Sequence, residues 1–131
     1  MIIRKNIVVI VLAIFVIASA HTADDVTERI SNAIKSGDAA ELSEYFNSNV
    51  RLKIDKNDYI YSRNQAKVIM NDFFGRNRPT NYFITSERKS GGTTIIIGSM
   101  ETEERTFRVY YQLSVNPGHR QINFLDIQLM E

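Results

Sequence analysis

At 131 residues the chain is the right length for one domain, and 44% apolar with 24% charged residues mark it as foldable rather than disordered. The absence of Cys excludes disulfide staples, thiolate metal sites, iron–sulfur clusters, a thiol nucleophile and a lipid-modified N-terminal cysteine, while two His leave few metal ligands. A formal charge of +1, from 16 basic and 15 acidic residues, is too balanced for the basic face that nucleic acid requires.

Arg4 and Lys5 precede an apolar run from Ile7 to Ala18, and Ala18-Ser19-Ala20 gives the small-x-small pattern that signal peptidases accept before His21. Residues 1–20 therefore read as a signal peptide and 21–131 as one exported domain, periplasmic or secreted. The run of about 12 apolar residues falls short of the ~20 that a membrane-spanning helix needs, so no permanent membrane anchor is expected. Losing Arg4 and Lys5 moves the formal charge to −1.

Asp25-Val26-Thr27-Glu28 reads as a capping box, with Val26, Ile30, Ala33 and Ile34 at helical spacing behind it. Gly37 offers the left-handed conformation that closes a helix, and Asp38-Ala39-Ala40-Glu41 opens a second, with Leu42, Tyr45 and Phe46 on one face. From Val50 to Ile54 apolar and basic residues alternate as in a half-buried strand; Lys56-Asn57-Asp58 then turns the chain into a short strand around Tyr59 to Tyr61. Ser62 with Gln65 repeats the capping logic, and Ala66, Ile69, Met70 and Phe73 share one face of a third helix that ends near Gly75, before Pro79.

Four strand-like runs follow, about Thr80 to Lys89, Thr93 to Glu101, Arg105 to Val115 and Arg120 to Met130. Their separators are Ser90-Gly91-Gly92, the Glu103-Glu104 region and Asn116-Pro117-Gly118-His119, the last suited to a type II turn, and together they predict consecutive hairpins. In the third run Phe107, Val109, Tyr111, Leu113 and Val115 line one face. In the last, the apolar phase slips from Ile122 and Phe124 to Leu125, Ile127 and Leu129, which predicts a β-bulge and a bend near Phe124. Helices in front of a bent sheet imply an α+β domain.

This order of elements resembles the nuclear-transport-factor-2-like (SnoaL-like, cystatin-like) superfamily over nearly the whole chain after the leader. Gly37-Asp38 with Leu42 and Phe46, Tyr61-Ser62 with Gln65-Ala66, Phe73-Phe74, Gly98 with Thr102, and Phe107-Arg108-Val109-Tyr110 are similar to a family of small exported bacterial domains of unknown function. The resemblance implies a curved antiparallel sheet, a cone-like half-barrel, wrapped around the N-terminal helices with a pocket between them. It implies fold without activity, since relatives serve as isomerases, cyclases, dehydratases or binding modules. Homodimers through the sheet are common among proteins with this resemblance.

Enzymes of this kind need an acid or His inside the cone. Asp126 alternates with core residues, Asp55 ends its strand, Asp72 stands off the Phe73 face, and Glu87 lies in a strand whose inward phase alternation does not assign. His119 sits in a turn with neither nucleophile nor orienting acid near it in sequence, and His21 as a new N-terminus lacks further metal ligands. No G-x-S-x-G elbow and no phosphate-binding glycine loop occurs. No cofactor and no metal is expected.

Aromatic residues are the better candidates for recognition. Tyr61, Phe73, Tyr82, Ile96, Arg108, Tyr110 and Tyr111 are assigned to a pocket or an interface. Tyr111 points inward among Val109 and Leu113; Arg108 and Tyr110 share the opposite face, where Arg108 is expected in a cross-strand ion pair with a Glu. Of the three consecutive residues Ile95, Ile96 and Ile97, Ile96 is placed with Tyr110 on the outer face, as a contact for a second copy. The reading is a non-catalytic binding or interaction domain for a small apolar ligand or a protein partner. The alternative is an isomerase- or cyclase-like enzyme with an acid in the cone.

Overall fold

The computed structural model describes residues 24–116 and 119–131. The leader, His21 and the Pro117-Gly118 centre of the expected type II turn lie outside them, as does the side chain of His119. Helix α1 (Asp24–Ser36) and helix α2 (Ala39–Ser43) meet at Gly37. There φ is 65°, the Gly37 N–H donates to the Ile34 carbonyl at 3.0 Å and the Asp38 N–H to that of Ala33 at 2.9 Å, the paired bonds of a Schellman ending. Asp38 caps α2 by accepting from the Glu41 N–H at 3.0 Å. The start of α1 differs from expectation. The helix already includes Asp24, so Asp25 is not its cap but a first-turn residue, paired with Arg29 at 3.1 Å one turn on.

Strands β1 (Phe46–Ile54) and β2 (Asn57–Ser62) form a hairpin whose turn is Asp55-Lys56, with Asp55 at φ 52°. Helix α3 (Arg63–Arg76) opens on the capping box read from Ser62 and Gln65. The Gln65 N–H donates to Ser62 Oγ at 3.2 Å and the Ser62 N–H to Gln65 Oε1 at 3.0 Å. It buries Ala66, Met70, Phe73 and Phe74, one apolar face at i, i+4, i+7 and i+8.

Strands β3 (Asn81–Ser90), β4 (Thr93–Glu101), β5 (Thr106–Asn116) and β6 (His119–Met130) follow as consecutive antiparallel hairpins. The six strands run β2-β1-β6-β5-β4-β3 in a curved sheet that does not close. One junction departs from the antiparallel expectation, since β1 lies parallel to β6. The β1–β6 register shifts between Phe46 and Arg51, and bulges interrupt two of the antiparallel pairings. Thr85 is the extra residue opposite the Ile97–Gly98 step, and Asn123 is extra between Ile122 and Phe124, where the phase slip predicted it.

The concave face carries Val50, Leu52, Ile96, Met100, Phe107, Val109, Tyr111, Leu113, Ile122, Leu125 and Ile127, all buried, and the helices close over it with Ile30, Ile34, Leu42, Met70 and Phe74. Each large side chain among these contributes about 1.5–3 kcal/mol relative to exposure. The placement of Ile96 is a correction. It is fully buried on the concave face, because its strand partners are Glu87 and Tyr111, and Ile95 and Ile97 are the residues that face outward, both half-buried. Gly98 explains the phase. A Cβ there would lie 2.3 Å from Tyr82 Oη and 2.5 Å from Cε2 and Cζ, so only a bare backbone lets the Tyr82 ring cross the strand on the inner side.

Candidate functional site: an open cavity at one end of the cone

A cavity of about 960 Å³ opens between the β1–β2 hairpin, the C-terminal half of α3 and the turn joining β4 to β5. Its deep wall is apolar. Leu52 from β1, Phe73 from α3 and Phe107 from β5 are buried in it, with Ile54 and Ile69 half-buried alongside. Phe73 meets Phe107 edge to face at 5.2 Å, which fixes the floor. Tyr59 and Tyr61, edge to face at 6.0 Å, form one side, and Leu129 of β6 the other.

The rim is polar and pinned by hydrogen bonds. The Asp55 N–H donates to the Ile127 carbonyl at 3.0 Å and its carboxylate accepts from the Leu129 N–H at 3.3 Å, tying the hairpin turn to the end of β6. Across the opening, the Thr102 N–H reaches the Arg105 carbonyl at 2.8 Å while Thr102 Oγ1 accepts from the Arg105 N–H at 2.9 Å. Asp72 and Arg76 form an ion pair one helical turn apart, and exposed Arg78, Glu103, Glu104 and Arg105 complete the edge. The carboxylates of the cavity thus stand in water at its mouth, above an aromatic and aliphatic interior. Eleven of its nineteen lining residues are polar or charged, so the space combines a small apolar floor with a broad polar and charged rim.

The residues assigned from sequence fall in three places. Tyr61 and Phe73 line the cavity. Tyr82, Ile96 and Tyr111 lie in the buried core beyond it, and burial pushes the phenols of Tyr82 and Tyr111 well above the usual tyrosine range, with Tyr82 and Glu87 adding to the effect at Tyr111. Arg108 and Tyr110 lie on the outer face. Among the described residues Arg108 makes no ion pair, its register neighbours being Ser99 and Gln128 rather than a Glu. Arg51, on the same outer face, is bound through two nitrogens to Asp58 at 2.9 and 2.7 Å and stacked 4.6 Å from the Phe124 ring. Phe124 meets Tyr110 at 5.7 Å, and Gln112 Nε2 donates to Tyr110 Oη at 2.8 Å.

Among the acids, Asp126 faces outward, within reach of Gln128 Nε2 at 3.2 Å, and Glu87 is on the concave face but exposed and outside the cavity. Sequence reasoning missed Leu52, Ile54, Ile69, Phe107 and Leu129 as cavity residues. Their inward phase was readable strand by strand, but not their convergence at one end.

The curved, unclosed sheet over three helices is the fold seen in solved nuclear-transport-factor-2-like proteins. The chain belongs to the family described as Domain of unknown function (DUF4783), whose model matches residues 27–128. A family protein from Bacteroides ovatus is 23% identical, covering 79% of this chain and 94% of its own, with a TM-score of 0.75. One from Bacteroides fragilis is 24% identical, covering 78% and 96%, with a TM-score of 0.74. A nuclear-transport-factor-2-like protein of unknown function from Silicibacter pomeroyi is 15% identical, covering 79% and 89%, with a TM-score of 0.60. No curated protein matches the chain. At these identities the likeness to solved structures is one of fold.

Proposed function

We propose that this protein is an exported, non-catalytic binding domain whose cavity takes the apolar body of a small molecule. The observation that carries the reading is that Tyr59 and Leu129, large apolar side chains 60% and 43% exposed, stand on the walls of one cavity with an aromatic floor. Proton-transfer chemistry is the less favoured use, since it wants an ionisable group beside the substrate and away from water, and the cavity's acids stand on its exposed rim. Export rests on Arg4, Lys5, the apolar run to Ala18 and the Ala18-Ser19-Ala20 site. N-terminal sequencing of protein recovered from the envelope or medium tests it, with His21 as the expected first residue.

Titration with the apolar anion anilinonaphthalene sulfonate tests the cavity. One saturable site is expected, and Leu129→Lys weakens it about fivefold, the equivalent of roughly 1 kcal/mol for half of a leucine's burial. Binding unchanged by Leu129→Lys, or no binding by the parent protein, overturns the reading. Mass spectrometry of small molecules that co-purify from the native envelope identifies the ligand class.

A specific observation favours a second surface. Ile95, Ile97, Tyr110 and Phe124 are half-buried neighbours on the outer face of β4, β5 and β6, an apolar strip flanked by the Arg51–Asp58 pair. A second copy of the chain, meeting this strip face to face, is the partner assigned to it.

A further inference from the structure

Two phenols in the core have an unanswered requirement. Tyr82 and Tyr111 are 5% and 0% exposed, both hydroxyl oxygens are buried, and among the described residues neither has a hydrogen-bonding partner. A hydroxyl removed from water without a partner forfeits the hydrogen bonds it made there, which is why buried polar groups in folded proteins are almost always matched by protein or by ordered water.

The strand registers bring the two together. On the concave face, Tyr82, Met100 and Phe107 form one row across β3, β4 and β5; Ile84, Gly98 and Val109 form the next; and Glu87, Ile96 and Tyr111 the one after. Tyr82 and Tyr111 therefore stand on either side of the Gly98 row. The Tyr82 ring leans into that row, its Oη within 2.3 Å of where a side chain on Gly98 would begin. Tyr82 is close enough to act on the charge of the Tyr111 phenol, and Glu87, in the row of Tyr111, is felt there as well. Neither tyrosine lines the open cavity, so this polar spot is separate from the ligand site proposed above.

We propose that Tyr82 and Tyr111 jointly hold one internal water between their hydroxyls, on the concave side of β4. The chemistry selects water over an organic guest, because both oxygens are sealed from solvent and offer only hydroxyl donors and acceptors. Internal waters need two to four such partners, and a domain of this size carries on the order of four of them. The water links β3 to β5 across β4 through hydrogen bonds rather than through apolar contact, and so sets the angle at which the bulged edge strand β3 leans on the sheet.

A crystal structure at about 1.5 Å is the direct test. The expected result is a single density peak within roughly 2.6–3.2 Å of both Oη atoms. A hydrogen bond between the two hydroxyls, a dry interior, or density too large for water overturns the proposal. Stability supplies an independent sign. Tyr82→Phe and Tyr111→Phe keep the rings and so keep the packing. If each hydroxyl binds water, either change lowers the folding equilibrium constant, about fivefold, and the double variant falls by less than the product of the two because the same water is lost once. If the hydroxyls are dry and unpartnered, removing either raises the constant, and the proposal fails.

Discussion

Gly98→Ala is the most demanding test of the core geometry. The added methyl carbon would sit 2.3 Å from Tyr82 Oη and 2.5 Å from both Cε2 and Cζ, separations that real side chains do not tolerate. Rotating the hydroxyl does not help, because two ring carbons are involved, and the ring cannot swing outward without exposing a residue that is 5% accessible. Overpacking of this kind costs about 1–3 kcal/mol. Replacing Gly by Ala returns about 0.4–1 kcal/mol by restricting the unfolded chain. The net loss is about 1–2 kcal/mol, which for a domain near 100 residues lowers Tm by about 5–15 °C. Thermal unfolding followed by circular dichroism measures it, with Gly75→Ala as the comparison. There nothing lies within 4 Å of the new carbon and the helix position gains about 0.5–1 kcal/mol, so Tm should rise. The cycle closes with Tyr82→Ala, in whose background Gly98→Ala should cost nothing. A Gly98→Ala protein as stable as the parent, or one equally destabilised with Tyr82 truncated, would refute the claim that Tyr82 crosses the sheet at Gly98.

The buried phenols predict alkaline behaviour. Their folded pKa values lie above the unfolded value near 10, so the native state keeps protons that the unfolded chain releases. Stability is intact below about pH 10 and falls above it, by up to about 1.4 kcal/mol per pH unit for each tyrosine, and urea unfolding of Tyr111→Phe should show a shallower decline. Ser62→Ala removes one arm of the α3 capping box and should cost about 1 kcal/mol in chemical denaturation, whereas Ser62→Asp should retain most of the stability. Tyr110→Lys places a charge in the outer apolar strip; sedimentation should show dimer for the parent and monomer for the variant, and a monomeric parent at micromolar concentration ends the self-association reading.

Where chemistry is local, the sequence was an adequate guide. Ser62 and Gln65 cap α3 as a reciprocal pair, Gly37 closes α1 at positive φ, and the phase slip in β6 marks the bulge at Asn123. Each signal lies within a single element and the turn beside it, so it is legible without distant contacts. Asp25 failed as a cap because a helix start is decided by competition among adjacent residues, and Asp24 is already helical. Ile96 failed for a different reason. Three successive isoleucines are compatible with either phase, and the choice was made by β5 and β3, which put Tyr111 beside Ile96 and Tyr82 against Gly98. The cavity is the extreme case. Leu52, Phe73, Phe107 and Leu129 come from four elements, and their meeting depends on the curvature of the sheet and on the parallel junction of β1 with β6, neither of which a periodicity records.

That junction also bears on why the cavity stays open. β2 lies at one edge of the sheet and β3 at the other, and no strand joins them. At the β3 side α1 packs over the concave face, and Tyr82 and Tyr111 fill the interior. At the β2 side the strand is six residues long, and among the described residues no element covers Tyr59 and Leu129, which are 60% and 43% exposed. The Asp55 and Thr102 hydrogen bonds tie two sides of the cavity's rim to the neighbouring backbone. A rim tied in this way favours recognition of a preformed shape over closure on a reacting substrate, since closure would require breaking the bonds that tie the hairpin turn to β6.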